Sequence, residues 1–189
     1  SSWYRKLGIV LMKYLDNLIK SMEWLAKKEN TLFIGQSVKY SGNSIYNTLK
    51  TVDDEKKIEM PVFEDLQMGL SIGMALEGYV PITCYPRFDF LILACNQRSY
   101  HLDKIRYMSG NKMQPRVIIR TSIGSKNPIN GGVQHTQNYT EFFKKICTEI
   151  DVIMLNEPEE IFPAFKYAYQ RKDSKSSLII EHGDYYNEK

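Results

Sequence analysis

The chain has 189 residues, of which 43% are hydrophobic and 25% are charged, as in ordinary globular proteins. This length favours one domain that buries a core of its own. The net charge of +3 comes from 25 basic and 22 acidic residues, and no basic run is interleaved with aromatic residues, which argues against a nucleic-acid groove.

The three cysteines, Cys84, Cys95 and Cys147, lack the even number of a disulfide framework and the spacing of a zinc site. We therefore expect small buried side chains in a reducing compartment. The apolar run 7–12 is too short to span a membrane, and no small-residue cleavage site follows it. The sequence thus predicts a cytoplasmic protein without a membrane segment.

Helical periodicity begins near Met12, so we interpret residues 1–11 as a possible non-native leader and residues 12–189 as a single domain. Helices are predicted at 12–28, 44–49, from 64 onward, 89–106, 140–147 and 158–171. Strands are predicted at 31–35, 57–60, 80–85, 116–120, 151–155 and 177–181, with a long polar loop over 121–138. Strands that alternate with helices imply a three-layer α/β/α fold with a mainly parallel sheet covered on both faces.

Three segments with chemically active side chains follow predicted strands directly. They are Glu64, the turn 87–90 and the loop that carries His135. In parallel α/β folds, ligands bind outside the carboxyl ends of the strands. We therefore expect these segments to converge at one edge of the sheet.

Glu64 is the first candidate for a functional residue, because it begins an apolar helix that carries Gly69, Gly73 and Ala75. Small residues allow another backbone to approach closely, so we expect this helix to be packed on both sides. Glu64 is then sheltered at the N-terminal rim of the helix. The alternative is a carboxylate that only interacts favourably with the helix dipole.

The turn after the third predicted strand carries two aromatic rings, Phe88 and Phe90, on either side of Asp89. Each ring either packs in the core or forms an aromatic wall for a flat ligand. Arg87 precedes them, and it either pairs with a carboxylate of a substrate or of a partner, or is a surface charge.

His135 lies among glycines and polar residues in a long loop after a strand, which favours a site. His101 and His182 have no such setting, and we interpret them as structural or solvated. No histidines or cysteines have metal-ligand spacing, and neither a nucleophile elbow nor a phosphate-binding glycine loop is present. These residues alone do not support a self-contained enzyme.

Four short motifs occur in order at 61–64 (Pro-Val-Phe-Glu), 87–90 (Arg-Phe-Asp-Phe), 106–110 (Arg-Tyr-Met-Ser-Gly) and 134–137 (Gln-His-Thr-Gln). Their order and spacing resemble the pyrimidine-binding domain of thiamine-diphosphate enzymes. The resemblance is greatest to the beta subunit of the E1 component of pyruvate and branched-chain 2-oxoacid dehydrogenases, and it extends over residues 13–183.

The resemblance implies that Glu64 hydrogen-bonds N1′ of the cofactor's aminopyrimidine and promotes the imino tautomer that accepts the proton of thiazolium C2. A sheltered carboxyl can share a proton with such a weakly basic nitrogen. Phe90 is implied to pack on the pyrimidine ring, and we assign Phe88 to cofactor binding with it. His135 is implied to face the 2-oxoacid as a proton donor or charge stabiliser.

The chain departs from the family's pattern in three places. It stops soon after 177–183, where E1 beta chains continue into a C-terminal domain, so docking to a large dehydrogenase complex is not expected. Residues 121–124 (Thr-Ser-Ile-Gly) replace the usual Gly-Pro pair, which puts a monovalent-cation site there in question. The diphosphate-binding signature, Gly-Asp-Gly with a downstream Asn, is absent. An alpha-type partner subunit is therefore expected to hold Mg²⁺ and the diphosphate.

The sequence thus predicts the beta-like subunit of a two-chain thiamine-diphosphate enzyme that decarboxylates a small 2-oxoacid, in a homodimer or a heterotetramer. One alternative is half of a split transketolase-like carboligase that acts on sugars. The other is a non-catalytic scaffold or regulatory subunit. Glu64 argues against the scaffold alternative, because a scaffold has no need for a carboxylate at that position.

Overall fold

The computed structural model describes residues 12–188, with side chains up to residue 186, and the predicted leader 1–11 lies outside these residues. The strands are β1 (Thr31–Gly35), β2 (Lys57–Glu59), β3 (Val80–Tyr85), β4 (Ile118–Ile123), β5 (Ile150–Met154) and β6 (Ser176–His182). They form one sheet in the order β2-β1-β3-β4-β6-β5, and every pairing is parallel.

The helices are α1 (Tyr14–Ala26), α2 (Ser44–Thr48), α3 (Glu64–Leu76), α4 (Phe88–Leu91), α5 (Ile105–Met108), α6 (Thr140–Ile146), α7 (Pro158–Gln170) and α8 (Tyr185–Glu188). Within residues 12–188, none of the helices combines the length and the apolarity that crossing a membrane requires.

Two apolar clusters lie on opposite faces of the sheet, one under α1 and α7 and the other under α3 and α6. Successive residues of β6 alternate between them, because Ile179 belongs to the first cluster while Leu178 and Ile180 belong to the second. The sheet is therefore buried on both faces. This arrangement confirms the predicted three-layer α/β/α fold.

Helices α1 and α7 show why these segments fold as they do. The apolar side chains Tyr14, Leu18, Met22 and Leu25 recur every three or four residues and are all buried. Helix α7 begins with a proline in its first turn and with a capping box in which Glu157 and Glu160 accept each other's backbone N–H groups. Both helices are 13 residues long, and they pack on each other over one face of the sheet.

The long helix predicted at 89–106 is not continuous. Between α4 and α5 the backbone forms a 3₁₀ turn (Ile92–Ala94) and a π-helical segment (Asn96–Leu102). The N–H of Gln97 donates to the Asp65 carboxylate of α3 at 3.3 Å. The adjacent Arg98 is fully buried, and its guanidinium lies 3.9 Å from the centroid of the Phe143 ring. These tertiary contacts account for the break in the helix.

The strand predicted at 116–120 begins and ends later, as Ile118–Ile123. The predicted loop begins at Thr121, but Thr121 and Ser122 are fully buried and remain in the sheet. Arg120, at the predicted end of the strand, is also fully buried, and the neighbouring strand β6 supplies a carboxylate, Glu181, to which its guanidinium donates two hydrogen bonds. The other predicted helices and strands match the observed bounds to within two residues, and the strands predicted at 31–35 and 80–85 match at both ends.

The Arg120–Glu181 ion pair is fully buried beneath the carboxyl edge of the sheet. The hydroxyl of Tyr186 in α8 also donates to Glu181. Burial and the charge of Glu181 raise the pKa of Tyr186 well above its ordinary value, so the phenol remains a donor. The Tyr14 hydroxyl donates to the carbonyl of Leu155 at 3.0 Å, which ties α1 to the end of β5. These hydrogen bonds therefore form a fixed polar network beneath the carboxyl edge of the sheet.

Candidate active site

His135 and Phe90 contact each other at the carboxyl edge of the sheet. Their ring centroids are 5.5 Å apart, and the rings meet edge to face at 82°. Phe90 lies in α4 directly after β3, and His135 lies in the loop that follows β4. Because β3 and β4 are neighbours in the sheet, their carboxyl ends bring the two segments together. The expected convergence of the 87–90 turn and the His135 loop is therefore observed.

Gly124, the first residue after β4, lets the His135 loop pass close to the end of β3. A Cβ atom at Gly124 would lie 1.8 Å from the carbonyl oxygen of His135 and 3.1 Å from Cδ of Arg87. Only a residue without a side chain permits this approach. Arg87, His135 and Phe90 are thus held in one contact group.

Gly124→Ala is expected to move the His135 loop, because the new Cβ overlaps a backbone atom that no rotamer change can displace. The unfolding free energy should fall by about 1–3 kcal/mol. The NMR signals of the His135 and Phe90 rings should shift as their contact opens. Gly73→Ala in α3 is the matched control, since a Cβ there meets nothing within 4 Å. An unaltered ring contact in Gly124→Ala would contradict this account of the loop.

Glu64 is half-buried at the start of α3. The Tyr85 hydroxyl donates to its carbonyl at 3.2 Å, and the side-chain amide of Gln67 donates to the Thr83 hydroxyl and the Cys84 carbonyl at 2.9 and 3.0 Å. These bonds fix the helix start beside the end of β3, the strand that leads into Arg87. Burial raises the pKa of Tyr85 above its ordinary value, and the nearby Glu64 charge adds to that shift. Within residues 12–188 the Glu64 carboxylate accepts no hydrogen bond.

Phe88 does not face the site. Its ring is fully buried, stacks on Phe143 of α6 at 5.2 Å between centroids and meets Tyr139 edge to face at 5.7 Å. Residues two apart in a helical turn project to nearly opposite sides, so burial of Phe88 leaves Phe90 on the site side. The prediction that Phe88 contacts a cofactor is therefore inconsistent with its position in the core.

The histidines occupy three different settings. His135 is half-buried, and among residues 12–188 its Nδ1 atom is shielded from solvent without a hydrogen-bond partner. Such an atom calls for a ligand or an ordered water. His101 is exposed, and the His182 ring stacks on Tyr185 at 4.1 Å, in keeping with the solvated and structural interpretations.

In the described part of the chain, no three His, Cys, Asp or Glu side chains are grouped so as to hold a metal ion.

A cleft of about 470 Å³ opens beside His135. Ser44 and Asn47 of α2 also line the cleft. In the loop that precedes α2, the N–H groups at 37–39 donate to the Glu59 carboxylate at 2.5–2.9 Å. This part of the site was not predicted from the sequence, although α2 also follows the carboxyl end of a strand, β1. The polar residues that line the cleft are Arg87, His135, Ser125, Asn127, Ser44, Asn47 and Tyr186.

Asp184 anchors the loop on the His135 side of the cleft. Its Oδ1 atom accepts hydrogen bonds from the Ser125 hydroxyl at 2.8 Å and from the N–H groups of Lys126 and Asn127 at 2.7 and 3.0 Å. Burial alone raises the pKa of Asp184, but these hydrogen bonds outweigh burial and lower the pKa below its ordinary value.

Asp184→Asn is expected to lower the unfolding free energy by about 1 kcal/mol at neutral pH, because an amide oxygen accepts these bonds more weakly. A depressed folded-state pKa means that the stabilisation is fully present above the unfolded-state pKa, near 4, and is lost as pH falls through the folded-state pKa. Urea unfolding should be measured for the unaltered chain and the variant at neutral pH and below about pH 4. The difference between their free energies of unfolding should shrink on acidification. An equal difference in unfolding free energy at both pH values would contradict this role of the Asp184 charge. The control is Glu55→Gln, which makes a similar change at an exposed side chain.

A parallel α/β/α domain with a carboxylate, an aromatic ring and an imidazole at its carboxyl edge is a ligand-binding domain of the doubly covered α/β class. Comparison with protein families makes the assignment specific. The chain belongs to the family "Transketolase, pyrimidine binding domain", whose model matches residues 19–188.

Curated relatives carry the names of dehydrogenase subunits. "Pyruvate dehydrogenase E1 component subunit beta" of Gracilaria tenuistipitata var. liui is 28% identical over 177 residues, which cover 91% of this chain and 53% of the relative. "2-oxoisovalerate dehydrogenase subunit beta" of Bacillus subtilis (strain 168) is 25% identical over 176 residues, which cover 91% of this chain and 52% of the relative. The chain spans about half the length of these relatives.

Solved structures support the fold. Transketolase from Campylobacter jejuni subsp. jejuni NCTC 11168 superimposes with a TM-score of 0.66 at 15% identity, over 88% of this chain and 25% of that chain. A split-gene transketolase, solved as an inactive beta4 tetramer, gives a TM-score of 0.55 at 14% identity, over 89% of this chain and 49% of that chain. At such identities the likeness concerns the fold alone.

Proposed function

We propose that this chain is the pyrimidine-binding, beta-like subunit of a two-chain thiamine-diphosphate-dependent enzyme that decarboxylates a small 2-oxoacid. The family and the names of the curated relatives support this class of enzyme. The observation that carries the proposal is Glu64, whose half-buried carboxylate accepts no hydrogen bond within residues 12–188 and stands beside the strand that leads to Phe90.

The residues at this edge fit the pyrimidine end of the cofactor. Glu64 would hydrogen-bond the ring nitrogen N1′ and share a proton with it, since a half-buried carboxyl is less satisfied by water than an exposed one. Phe90 would pack on the flat ring, and its edge contact with His135 keeps the imidazole beside it. When bound, thiamine diphosphate supplies the stabilisation of negative charge on carbon that 2-oxoacid decarboxylation requires.

His135 is proposed to face the 2-oxoacid as a proton donor or charge stabiliser. The imidazole lines the cleft, while its backbone N–H is occupied by the carbonyl of Gly132 at 3.0 Å. That local turn, in which Gly132 has φ +81°, fixes the position of the ring. The loop thereby presents the imidazole to the cleft, where it would contact the substrate.

An alpha-type partner is proposed to hold the diphosphate and Mg²⁺, in keeping with curated relatives that are named as beta subunits. The active site then lies between two polypeptides, in a heterotetramer of two such pairs or around a homodimer of this chain. We also propose one domain over 12–189 and a cytoplasmic location. Some relatives, such as "Pyruvate dehydrogenase E1 component subunit beta-3, chloroplastic" of Arabidopsis thaliana, are named for a plastid.

The second candidate is half of a split transketolase-like carboligase that acts on sugars. The fold shared with a split-gene transketolase is consistent with this candidate, and this chain covers 49% of that chain. Both candidates need the same cofactor geometry and a second chain, so they differ in substrate rather than in the role of Glu64.

A pull-down of the tagged full chain from its native lysate, followed by mass spectrometry, tests the proposal. We expect capture of a protein that carries Gly-Asp-Gly with a downstream Asn. Assays of the captured pair with 2-oxoacids and with ketose phosphates then separate the two candidates. Recovery of this chain alone, without such a partner, would contradict the two-chain enzyme and favour the scaffold or regulatory alternative.

A further inference from the structure

Arg87 is a cation without a described counter-charge in the candidate active site. It stands between β3 and α4, is half-buried, and lines the cleft together with His135. The only hydrogen bond of its guanidinium within residues 12–188 runs from Nη1 to the carbonyl of the preceding Pro86 at 2.8 Å. No carboxylate of the described chain lies within ion-pair distance. Most of its guanidinium donors are therefore available to a ligand.

The charge of the cleft favours a single negative group. Among the described residues that line the cleft, Arg87 is the one side chain with a formal charge, and the others are neutral polar or apolar. Asp184, which follows β6, does not line the cleft, and its Oδ1 atom accepts three hydrogen bonds from residues 125–127. A planar guanidinium matches a planar carboxylate in two parallel hydrogen bonds, whereas a doubly charged phosphate commonly takes more than one cation or a set of backbone N–H groups.

The position of Arg87 relative to His135 suits a 2-oxoacid. Both residues lie against Gly124, since a Cβ there would lie 3.1 Å from Cδ of Arg87 and 1.8 Å from the His135 carbonyl oxygen. A carboxylate and the carbonyl next to it in a 2-oxoacid are joined by one bond, so they need two recognition groups that are close neighbours. Arg87 supplies the charge, and the imidazole of His135 lines the same cleft.

We propose that Arg87 is the residue that binds the carboxylate of the 2-oxoacid substrate, while His135 faces the adjacent carbonyl. This inference rests on the proposed function, which gives the reaction as decarboxylation of a 2-oxoacid. It goes beyond that function by assigning substrate recognition to one cation of this chain. Recognition of the anion is then a property of the beta-like subunit itself.

The test is NMR titration of the full-length chain, with the ring signals of His135 and Phe90 and the side-chain signals of arginine as readouts. The probes are pyruvate, 2-oxoisovalerate, the neutral amide of pyruvate, and inorganic phosphate. We expect the two 2-oxoacids to shift these signals, and the neutral amide to bind at least about tenfold more weakly, because it lacks the charge-assisted pair.

Three variants locate the effect. Arg87→Gln should abolish the preference for the 2-oxoacid over its amide, and Arg87→Lys should retain part of it. Lys126→Gln removes the same charge from the same rim at a side chain that does not line the cleft, so it should bind like the unaltered chain. Unchanged His135 and Phe90 signals in the absence of probe confirm that each variant is folded.

Several outcomes would overturn the assignment. The first is 2-oxoacid binding that is unchanged in Arg87→Gln. The second is that the signals of the unaltered chain respond to neither 2-oxoacid. The third is a response to phosphate alone, which would assign Arg87 to a phosphorylated substrate. The titration uses neither the partner nor thiamine diphosphate. An inactive captured pair with intact Arg87-dependent binding would therefore count against the proposed function alone, and an active pair without such binding would count against the Arg87 assignment alone.

Discussion

Glu64→Gln is expected to reduce the kcat of the reconstituted pair by about 10³-fold, because an amide can hydrogen-bond a ring nitrogen but cannot share a proton with it. Assembly with the partner should be unchanged, since α3 is fixed by the carbonyl of Glu64 and the side chain of Gln67, which the substitution leaves in place. Steady-state kinetics with saturating cofactor, together with gel filtration of the pair, measure both effects.

The control is Glu77→Gln, which makes the same chemical change in the exposed residue at the other end of the same helix. That variant should turn over at the unaltered rate. Undiminished kcat in Glu64→Gln would remove the catalytic assignment of Glu64. A loss of assembly with no loss of kcat per assembled pair would recast Glu64 as a structural residue.

Glu181→Gln is expected to have the largest effect on stability, a loss of about 3–5 kcal/mol in the free energy of unfolding, because it leaves the Arg120 guanidinium charged and buried without a counter-ion. In the unaltered chain, burial opposes the charge of Arg120, but the Glu181 carboxylate outweighs burial and raises the pKa of Arg120. Without Glu181 the guanidinium still keeps its proton, because arginine is not deprotonated in proteins. Denaturant unfolding monitored by circular dichroism measures the loss.

A surface ion pair provides the comparison. Glu141 and Lys144 are 2.9 Å apart on α6, with their side chains 77% and 49% exposed. Glu141→Gln should therefore change the unfolding free energy by less than about 0.5 kcal/mol. The Arg120→Met, Glu181→Leu double variant should recover much of the stability lost in Glu181→Gln, since both charges are then removed. A small effect of Glu181→Gln alone would show that the pair is not isolated from water.

The sheet could be predicted from the sequence because strand-length apolar runs alternate with helical periodicity, which in this class implies parallel pairing. Tertiary partners explain where the prediction failed. Nothing local indicates that β4 continues through Thr121 and Ser122, because these residues stay in the sheet by pairing with β6, about 60 positions further along the chain. The break in the predicted helix 89–106 likewise depends on Asp65, which belongs to another element.

The site could be anticipated to the extent that it follows from topology. Glu64, Phe90 and His135 were identified because each follows a strand, and the structure puts Phe90 and His135 in contact. Which of Phe88 and Phe90 faces the site could not be read from the sequence, because it depends on the stacking of Phe88 against Phe143 of α6. The roles of Glu64, Phe90 and His135 toward cofactor and substrate stay predictions.

The most direct test of the central claim is CO₂ release from 2-oxoacids by the captured pair, measured with and without thiamine diphosphate and with each chain omitted in turn. The two-chain account predicts turnover only when both chains, Mg²⁺ and the cofactor are present. Turnover that persists without thiamine diphosphate or without this chain would contradict the account.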